Sequence, residues 1–192
     1  MGSIKGLASV GSNLWGETPV DPRSTLTREA IDAAPNDLLL FARVDEDVAS
    51  TFARVARNGG LNTWVSDGEK SLTLRGGLVV ATRGLGNDLM GADYSQVYQA
   101  LVRGNGRVAR THEYLGGEDQ IARVAYQCQI TTLRSEVIEI IQRRYETRVV
   151  REACTGSESR FTNIYWIDAA GEIWQSRQWI SARVGAVDIQ RL

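Results

Sequence analysis

Tryptophan, glutamine and arginine side chains are concentrated near the C-terminus of this 192-residue chain. An indole ring can stack on the apolar face of a sugar, while amide and guanidinium groups hydrogen-bond sugar hydroxyls. This composition therefore predicts a glycan- or partner-binding surface. Packing of the same tryptophans in the core of a sheet is the alternative, and the sequence leaves it open. The candidate binding residues of this group are Trp64, Trp166, Trp174, Arg177, Gln178 and Trp179.

A glycine-rich segment, Arg83-Gly84-Leu85-Gly86-Asn87-Asp88, follows a predicted strand and has some features of a phosphate-binding loop. It lacks the third glycine of the dinucleotide fingerprint and the Gly-Lys-Ser/Thr of a P-loop. We therefore interpret it as a tight turn whose glycines adopt positive φ. Arg83 and Asp88 join the candidate residues for binding a glycan or a partner.

The sequence offers little for catalysis. His112 is the only histidine, and no Gly-x-Ser-x-Gly elbow or His-Glu-x-x-His motif accompanies it, so we expect a structural histidine. Glu113, Glu118 and Asp119 cluster near a glycine turn, but a glycosidase needs two carboxyl groups held across a cleft, and a solvated turn is favoured. We predict no catalytic residue, no metal site, no cofactor and no enzymatic activity.

Composition excludes two further classes of function. The chain has 22 Lys plus Arg residues against 23 Asp plus Glu, and no basic stripe, so we expect no nucleic-acid partner. No run of 18 apolar residues is present, so the sequence predicts no membrane-spanning helix. With 43% hydrophobic residues, the chain has the composition of a globular protein with a sizeable core.

The two cysteines, Cys128 and Cys154, are 26 residues apart, which suits neither a zinc-ligand pair nor a Cys-x-x-Cys redox motif. They are compatible with buried free thiols in a cytosolic protein or with one disulfide in an exported protein. A disulfide closing this loop would contribute about 3.5 kcal/mol in the chain-entropy model.

Strands dominate the elements that must position these residues. Residues 1–24 are rich in Gly, Ser and Pro and predict a flexible arm, and residues 25–192 predict a single mainly β domain. Thr27 can cap a short helix that ends before Pro35. Alternating apolar residues and glycine turns over residues 61–82 predict an antiparallel meander.

One definite helix is expected over residues 94–103, after the potential capping residue Asp93. Further strands follow, with a turn expected around Arg134-Ser135 between strands at residues 120–131 and 137–154. The sum is a mainly β fold: a curved or half-barrel antiparallel arrangement of about ten strands with one or two short helices.

Two stretches of the chain resemble the signatures of a known family. Residues 72–90 read LTLRGGLVVATRGLGNDLM, and residues 161–166 and 173–179 read FTNIYW and IWQSRQW. These stretches are similar to the YjbF/GfcB-like lipoproteins associated with group 4 capsule and exopolysaccharide, over roughly residues 26–192. The signatures contain no catalytic motif, so the resemblance assigns no catalytic residue.

The resemblance implies a non-enzymatic, periplasmic accessory protein of capsule or exopolysaccharide export, anchored to the outer membrane. Its implied partners are a polysaccharide, an outer-membrane β-barrel export protein, or both. A lipid or lipoprotein carrier is the alternative, and a glycan-modifying enzyme is a third. The sequence shows no lipobox cysteine, so we expect membrane attachment only through a lipid anchor that this chain does not carry.

In an exported protein the Cys128–Cys154 disulfide becomes the favoured interpretation. The predicted strands raise one geometric problem, because a simple hairpin of residues 120–131 with 137–154 would hold the two cysteines far apart. A bend near Arg143-Arg144 would be needed to bring their Cα atoms within about 7 Å.

Overall fold

A computed structural model describes residues 20–46, 48–116, 120–157 and 159–192. Within this part of the chain, twelve strands form one antiparallel sheet. The strands are β1 (Leu38–Arg43), β2 (Ser50–Asn58), β3 (Leu61–Val65), β4 (Ser71–Arg75), β5 (Leu78–Arg83), β6 (Leu89–Asp93), β7 (Asn105–Leu115), β8 (Ile121–Ile140), β9 (Arg143–Gly156), β10 (Arg160–Ile167), β11 (Ile173–Ser181) and β12 (Gly185–Arg191). Their order in the sheet is β5-β4-β3-β2-β1-β12-β11-β10-β9-β8-β7-β6.

Three short helices accompany the sheet in the described residues: α1 (Pro22–Thr25), α2 (Arg28–Asp32) and α3 (Ser95–Arg103). The Thr27 side chain accepts the backbone N–H of Ala30 and so caps α2, as its sequence predicts. Among the helices described here, none combines the length and the apolar character needed to cross a membrane.

The sheet curves until its two edge strands, β5 and β6, lie next to each other, which nearly closes a barrel. Hydrogen bonds from side chains add to the backbone ladder, both between β5 and β6 and between β11 and β5. The Thr82 hydroxyl accepts the N–H of Leu89 at 3.0 Å. From β11, the Gln178 side chain accepts the N–H of Val79 at 2.9 Å and donates to the Gly77 carbonyl at 2.8 Å.

Strand alternation sends every second side chain into the barrel. On β10, Phe161, Asn163, Tyr165 and Ile167 are buried, whereas Trp166 is only partly buried on the opposite face. Two apolar clusters fill the interior. One packs α3 against β7 to β10 and includes Val97, Leu101, Ile130, Val150 and Tyr165. The other lies against β1 to β5 and β12 and includes Leu39, Phe52, Trp64, Leu72 and Ile189.

The predicted fold class is confirmed, with twelve described strands in place of about ten. The predicted turn at Arg134-Ser135 is wrong, because β8 runs through it with only an irregular register after Thr132. The chain turns instead at Ile141 and Gln142, both at positive φ. The structure also contains a strand that the sequence does not indicate: β6 begins directly after the glycine-rich loop of residues 83–88.

The observed β8–β9 turn resolves the problem of the cysteines. With the turn at Ile141-Gln142, Cys128 lies directly opposite Cys154, their Cα atoms 4.0 Å apart, and the disulfide between them is formed. The predicted disulfide is therefore confirmed. Of the predicted arm, residues 1–19 lie outside the described residues, whereas residues 22–24 belong to α1.

The tip of the β8–β9 hairpin extends past its neighbouring strands. Residues 136–140 and 143–147 pair only with each other in the described sheet, because the ladders of β7 and β10 end before them. We call residues 136–147 the hairpin arm. The Tyr145 ring stacks on Trp174 with centroids 3.9 Å apart, and Arg28 donates to the carbonyls of Ile140 and Ile141.

Candidate functional site

A cavity of about 250 Å³ opens at the end of the barrel from which the hairpin arm extends. We call this cavity, with its lining, the barrel mouth. Inward-facing residues of β1 to β4, β11 and β12 form its walls, together with the adjoining turns. They are Leu39, Arg54, Arg57, Gly60, Asn62, Trp64, Leu74, Gly76, Gly77, Glu172, Ile173, Trp174, Ser176, Ile189 and Arg191.

The short strand β3 sets the centre of the mouth. Asn62 and Trp64 are two residues apart, so both point to the inner face of the sheet. In the register, Asn62 lies between Arg57 on β2 and Leu74 on β4. This arrangement places an amide and an indole between an apolar wall and a guanidinium.

The β4–β5 turn, Gly76-Gly77, forms another side of the mouth. Both residues have positive φ, at 54° and 81°, where glycine carries no steric penalty. A Cβ on Gly76 would come within 2.8 Å of the Tyr98 ring, and one on Gly77 within 2.7 Å of the Ile173 Cβ. Two glycines are therefore required here by backbone conformation and by close packing.

Two polar atoms of the mouth lack hydrogen-bond partners. The Trp64 Nε1 and the Asn62 Oδ1 are both buried, and neither has a partner in the described part of the chain. The Trp64 side chain belongs to a residue that is only 5% exposed. A buried polar group without a partner costs about 1–3 kcal/mol, and such groups are rare in folded proteins. Asn62 and Trp64 both line the cavity, so a donor and an acceptor without partners lie in the wall of one site, and this pair is complementary to a hydroxyl-bearing ligand.

Arginines surround the opening of the mouth. Arg54 forms an ion pair with Asp37 at 2.9 Å, and Arg191 forms one with Glu172. Arg57 has no carboxylate partner within ion-pair distance among the described residues. The lining therefore carries three guanidinium groups and one carboxylate, and its net charge is positive.

Trp174 lies at the rim, but its ring is not free. The Tyr145 ring of the hairpin arm stacks on the Trp174 ring with centroids 3.9 Å apart, and the Arg191 guanidinium lies 5.4 Å from the Trp174 ring centroid. Its Nε1 donates to Asp168 at 2.8 Å. Trp174 is therefore part of the wall of the mouth and connects the mouth to the hairpin arm.

Arg83 and Asp88, also predicted from the sequence, stabilise the β5–β6 loop. The Asp88 carboxylate accepts the Gly84 N–H at 2.9 Å, the Leu85 N–H at 3.1 Å and the Thr82 hydroxyl at 2.8 Å. Arg83 donates to backbone carbonyls on both sides of the same loop. These contacts support the predicted tight turn and lie away from the barrel mouth.

The remaining predicted residues are dispersed. Arg177 pairs with Asp188 at 2.7 Å on an exposed surface, and Trp166 lies on the outer face of β10. Gln178 is fully buried, and Trp179 stacks on Phe161 with centroids 4.7 Å apart. Of the predicted binding residues, the structure brings only Trp64 and Trp174 together at the mouth.

Sequence reasoning missed Asn62 and Arg57. The available signal was the Asn62-x-Trp64 spacing on a predicted strand beside the Asn58-Gly59-Gly60 turn. That spacing puts an amide and an indole on one face. Which face would enclose a cavity depends on the barrel closure, which the local sequence does not encode.

A second polar group lies deep inside the barrel, and we call it the interior network. Its centre is the Glu152 carboxylate, which accepts from Arg110 at 2.9 Å, Asn163 at 2.8 Å and Tyr165 at 2.7 Å. Arg110 and Glu152 are 1% and 0% exposed. The network consists of Arg110, His112, Tyr114, Glu152, Asn163 and Tyr165.

His112 continues the interior network away from Glu152. The Arg110 Nε donates to the His112 Nε2 at 2.8 Å, so the ring is neutral with its proton on Nδ1, which lies 2.9 Å from the Tyr114 hydroxyl. Tyr114 in turn donates to the Ile180 carbonyl at 2.6 Å. Burial, reinforced by the Arg110 charge, lowers the pKa of His112 to about 2.

The interior network leaves no group free for chemistry. Burial alone would lower the pKa of Arg110, but the negative charge of Glu152 raises it above its usual value, so the Arg110 guanidinium stays charged. Glu152 also lies near Cys128 and Cys154, but both sulfurs are bonded to each other. Of the predicted carboxylate cluster, Glu113 is paired with Arg123 at 2.6 Å, and residues 118 and 119 lie outside the described residues.

Fold and site together define a nearly closed antiparallel barrel with a polar pocket at its open end. Residues 8–192 match the family described as group 4 capsule polysaccharide lipoprotein GfcB, YjbF, and the chain belongs to this family. The resemblance of residues 72–90 and 161–179 to that family is thereby confirmed. Family membership identifies a capsule-associated lipoprotein of the cell envelope, and the family is not a known enzyme family.

A solved structure supports the same fold. The chain is similar to the hypothetical lipoprotein YmcC from Escherichia coli (K12), with 21% sequence identity and a TM-score of 0.73. The similarity covers 85% of this chain and 87% of that chain. At this identity the likeness shows a shared fold. No curated protein matches the chain at a significant level.

Proposed function

We propose that this protein is a non-enzymatic accessory protein of capsule or exopolysaccharide production and export that binds a saccharide at the barrel mouth. It acts in the periplasm, anchored to the outer membrane in its native form. Family membership supports the link to capsule. The observation that carries the binding role concerns Trp64 Nε1 and Asn62 Oδ1, which are buried, have no partner among the described residues, and belong to residues that line one cavity.

The geometry favours binding over the two other functions considered. The lining of the mouth contains one carboxylate, Glu172, and a glycoside hydrolase needs a pair. A lipid carrier needs a large apolar cavity, whereas side chains of two apolar clusters fill the described interior. A small polar cavity at an open rim suits the terminal unit of a glycan chain.

A fluorescence titration tests this function. We would titrate the protein with extracellular polysaccharide purified from the producing organism, using dextran as an unrelated glycan. We expect a saturable change in tryptophan emission with the native polymer only, because Trp64 and Trp174 line the mouth. Asn62→Ala should weaken this binding at least tenfold, because it removes the unpartnered acceptor.

The matched control is Arg177→Ala, which removes an exposed side chain paired with Asp188 away from the mouth. It should bind the polymer as the unchanged protein does. Equal loss in both variants, or no saturable binding by the unchanged protein, would contradict saccharide binding at the mouth. A deletion strain with normal extracellular polysaccharide would contradict the wider role in capsule production.

The hairpin arm favours a second candidate function, docking of a protein partner such as the outer-membrane β-barrel export protein. Both outer edges of the arm lack a neighbouring strand among the described residues, and Val137 on it is 51% exposed. Unpaired edges of this kind can accept a strand from another chain. Crosslinking in cells from position 137, with position 55 as an equally exposed control, would test this docking.

A further inference from the structure

The charges at the barrel mouth specify its ligand more closely, and this step rests on the proposed saccharide binding. Arg54 and Arg191 each have a carboxylate partner, in Asp37 and Glu172. Arg57 has none in the described part of the chain, although it lies directly opposite Asn62 on the neighbouring strand. One guanidinium of the lining is therefore uncompensated beside the unpartnered amide oxygen.

A second arginine lies beside the mouth, outside its lining, and adds positive charge there. Arg75, at the end of β4, lies against the β2–β3 turn, where a Cβ on Gly60 would be 3.5 Å from its Nε. Its guanidinium lies 4.8 Å above the centre of the Tyr94 ring, which holds it in place without neutralising its charge. Arg57 and Arg75 therefore flank the same turn, and neither is matched by a carboxylate among the described residues.

The two sets of groups match two parts of one ligand. Asn62 Oδ1 accepts and Trp64 Nε1 donates, which suits a sugar hydroxyl. A guanidinium binds a carboxylate or a phosphate through paired, charge-assisted hydrogen bonds, and a neutral sugar would leave that capacity unused. The cavity of about 250 Å³ is just below the roughly 300–1,000 Å³ of sites for drug-sized ligands, so it suits one sugar unit.

We infer that the barrel mouth recognises a single anionic sugar unit of a glycan, with Asn62 and Trp64 bound to a hydroxyl and Arg57 bound to the anionic group. Arg75 contributes long-range attraction. The anionic group is a carboxylate or a phosphate, since a guanidinium binds both. The rest of the glycan chain extends out of the open end.

The test follows the indole N–H signal of Trp64 in two-dimensional ¹⁵N–¹H NMR spectra, assigned by its absence in Trp64→Phe. The probes are methyl β-D-glucuronide, α-D-glucose 1-phosphate and methyl β-D-glucoside. We expect at least one of the two charged probes to shift the Trp64 signal saturably, with a dissociation constant at least tenfold below that of the neutral glucoside. Comparison of the glucuronide with the phosphate identifies which anion is recognised.

Arg57→Gln should abolish the tenfold preference, whereas Arg177→Gln, at an exposed ion pair away from the mouth, should retain it. Absence of a tenfold preference for a charged probe, including failure of all three probes to bind, overturns the inference. If the native polysaccharide still binds in that case, the proposed saccharide binding stands and only the anionic specificity is lost. If the polymer does not bind either, the proposed function fails with it.

Discussion

The barrel contains two groups of buried polar side chains that differ in how far their hydrogen bonds are satisfied. In the interior network, the Glu152 carboxylate has three donors, and both nitrogens of His112 have partners. At the barrel mouth, Trp64 Nε1 and Asn62 Oδ1 have no partner among the residues that the structure describes. Both groups lie inside the same barrel, and the mouth residues line a cavity.

This difference separates a structural role from a binding role. A buried network whose hydrogen bonds are all made is rigid and offers a ligand no free hydrogen-bond donor or acceptor. Unsatisfied groups beside a cavity carry a desolvation cost that a ligand can relieve, so their presence favours binding. Substitutions in the interior network should therefore reduce stability, and substitutions at the mouth should reduce binding while leaving stability nearly unchanged.

The largest expected effect comes from breaking the ion pair of the interior network. Glu152→Gln leaves the buried Arg110 charge without its counter-charge, and we expect a loss of about 3–5 kcal/mol in the free energy of unfolding. Urea unfolding followed by circular dichroism measures this change.

The control is Glu172→Gln at the rim, where the carboxylate is 54% exposed and pairs with Arg191. Exposed pairs contribute about 0–1 kcal/mol. Similar losses for the two substitutions would show that the interior network is not a stronger structural element than the rim, and the comparison between the two regions would fail.

The disulfide beside the interior network gives the next effect. Cys128→Ala with Cys154→Ala should lower the free energy of unfolding by about 3.5 kcal/mol in the chain-entropy model, since the bond closes a loop between residues 26 apart. Reduction of the unchanged protein should produce the same loss. Stability that is unaffected by both treatments would contradict a stabilising role for the bond.

The disulfide also illustrates how far the sequence predicts the fold. Val, Ile, Tyr and Thr patterning indicated the strands, and glycine pairs indicated the meander turns. The turn at Ile141-Gln142 was missed because neither residue is a usual turn former at positive φ. Because the expected turn at residues 134–135 lies seven residues before the observed turn, the sequence leaves the distance between Cys128 and Cys154 unresolved. The family resemblance alone favours their pairing.

The candidate site was less predictable than the fold. Aromatic and polar composition predicts binding residues within residues 166–179, but most of these side chains lie in the core or on outer surfaces. The mouth is assembled from strands near both ends of the chain, with Asn62 and Arg191 on the same cavity. Such long-range proximity follows from barrel closure, and local periodicity carries no information about it.

The pH dependence of stability offers a third test of the interior network. The pKa of His112 is about 2 in the folded protein, against 6.5 ordinarily. Below pH 6.5 the unfolded chain takes up a proton that the folded chain does not, so stability falls as the pH drops from 6.5 toward 2. Linkage gives up to about 1.4 kcal/mol per pH unit from this group.

His112→Gln should remove this part of the dependence, because glutamine can accept from Arg110 and donate to Tyr114 without titrating. Urea unfolding at pH 7, 6 and 5 measures the two slopes. Parallel slopes would mean that His112 does not resist protonation in the folded state.

The smallest expected change in stability is at the barrel mouth. Trp64→Phe removes a buried N–H that has no partner, which relieves a desolvation cost, while the smaller ring loses some packing. We expect the free energy of unfolding to change by less than about 1 kcal/mol, since the two effects oppose each other. Binding of the native polysaccharide should nevertheless weaken at least tenfold.

Tyr165→Phe provides the matched comparison, since it also removes one polar group from a buried aromatic side chain. The Tyr165 hydroxyl donates to Glu152 at 2.7 Å, and hydrogen bonds to charged groups contribute about 1.5–3 kcal/mol. Tyr165→Phe should therefore lose stability and keep polysaccharide binding, the reverse of Trp64→Phe. If Trp64→Phe instead lost as much stability as Tyr165→Phe, its N–H would have a partner within the protein, and the mouth would no longer differ from the interior network.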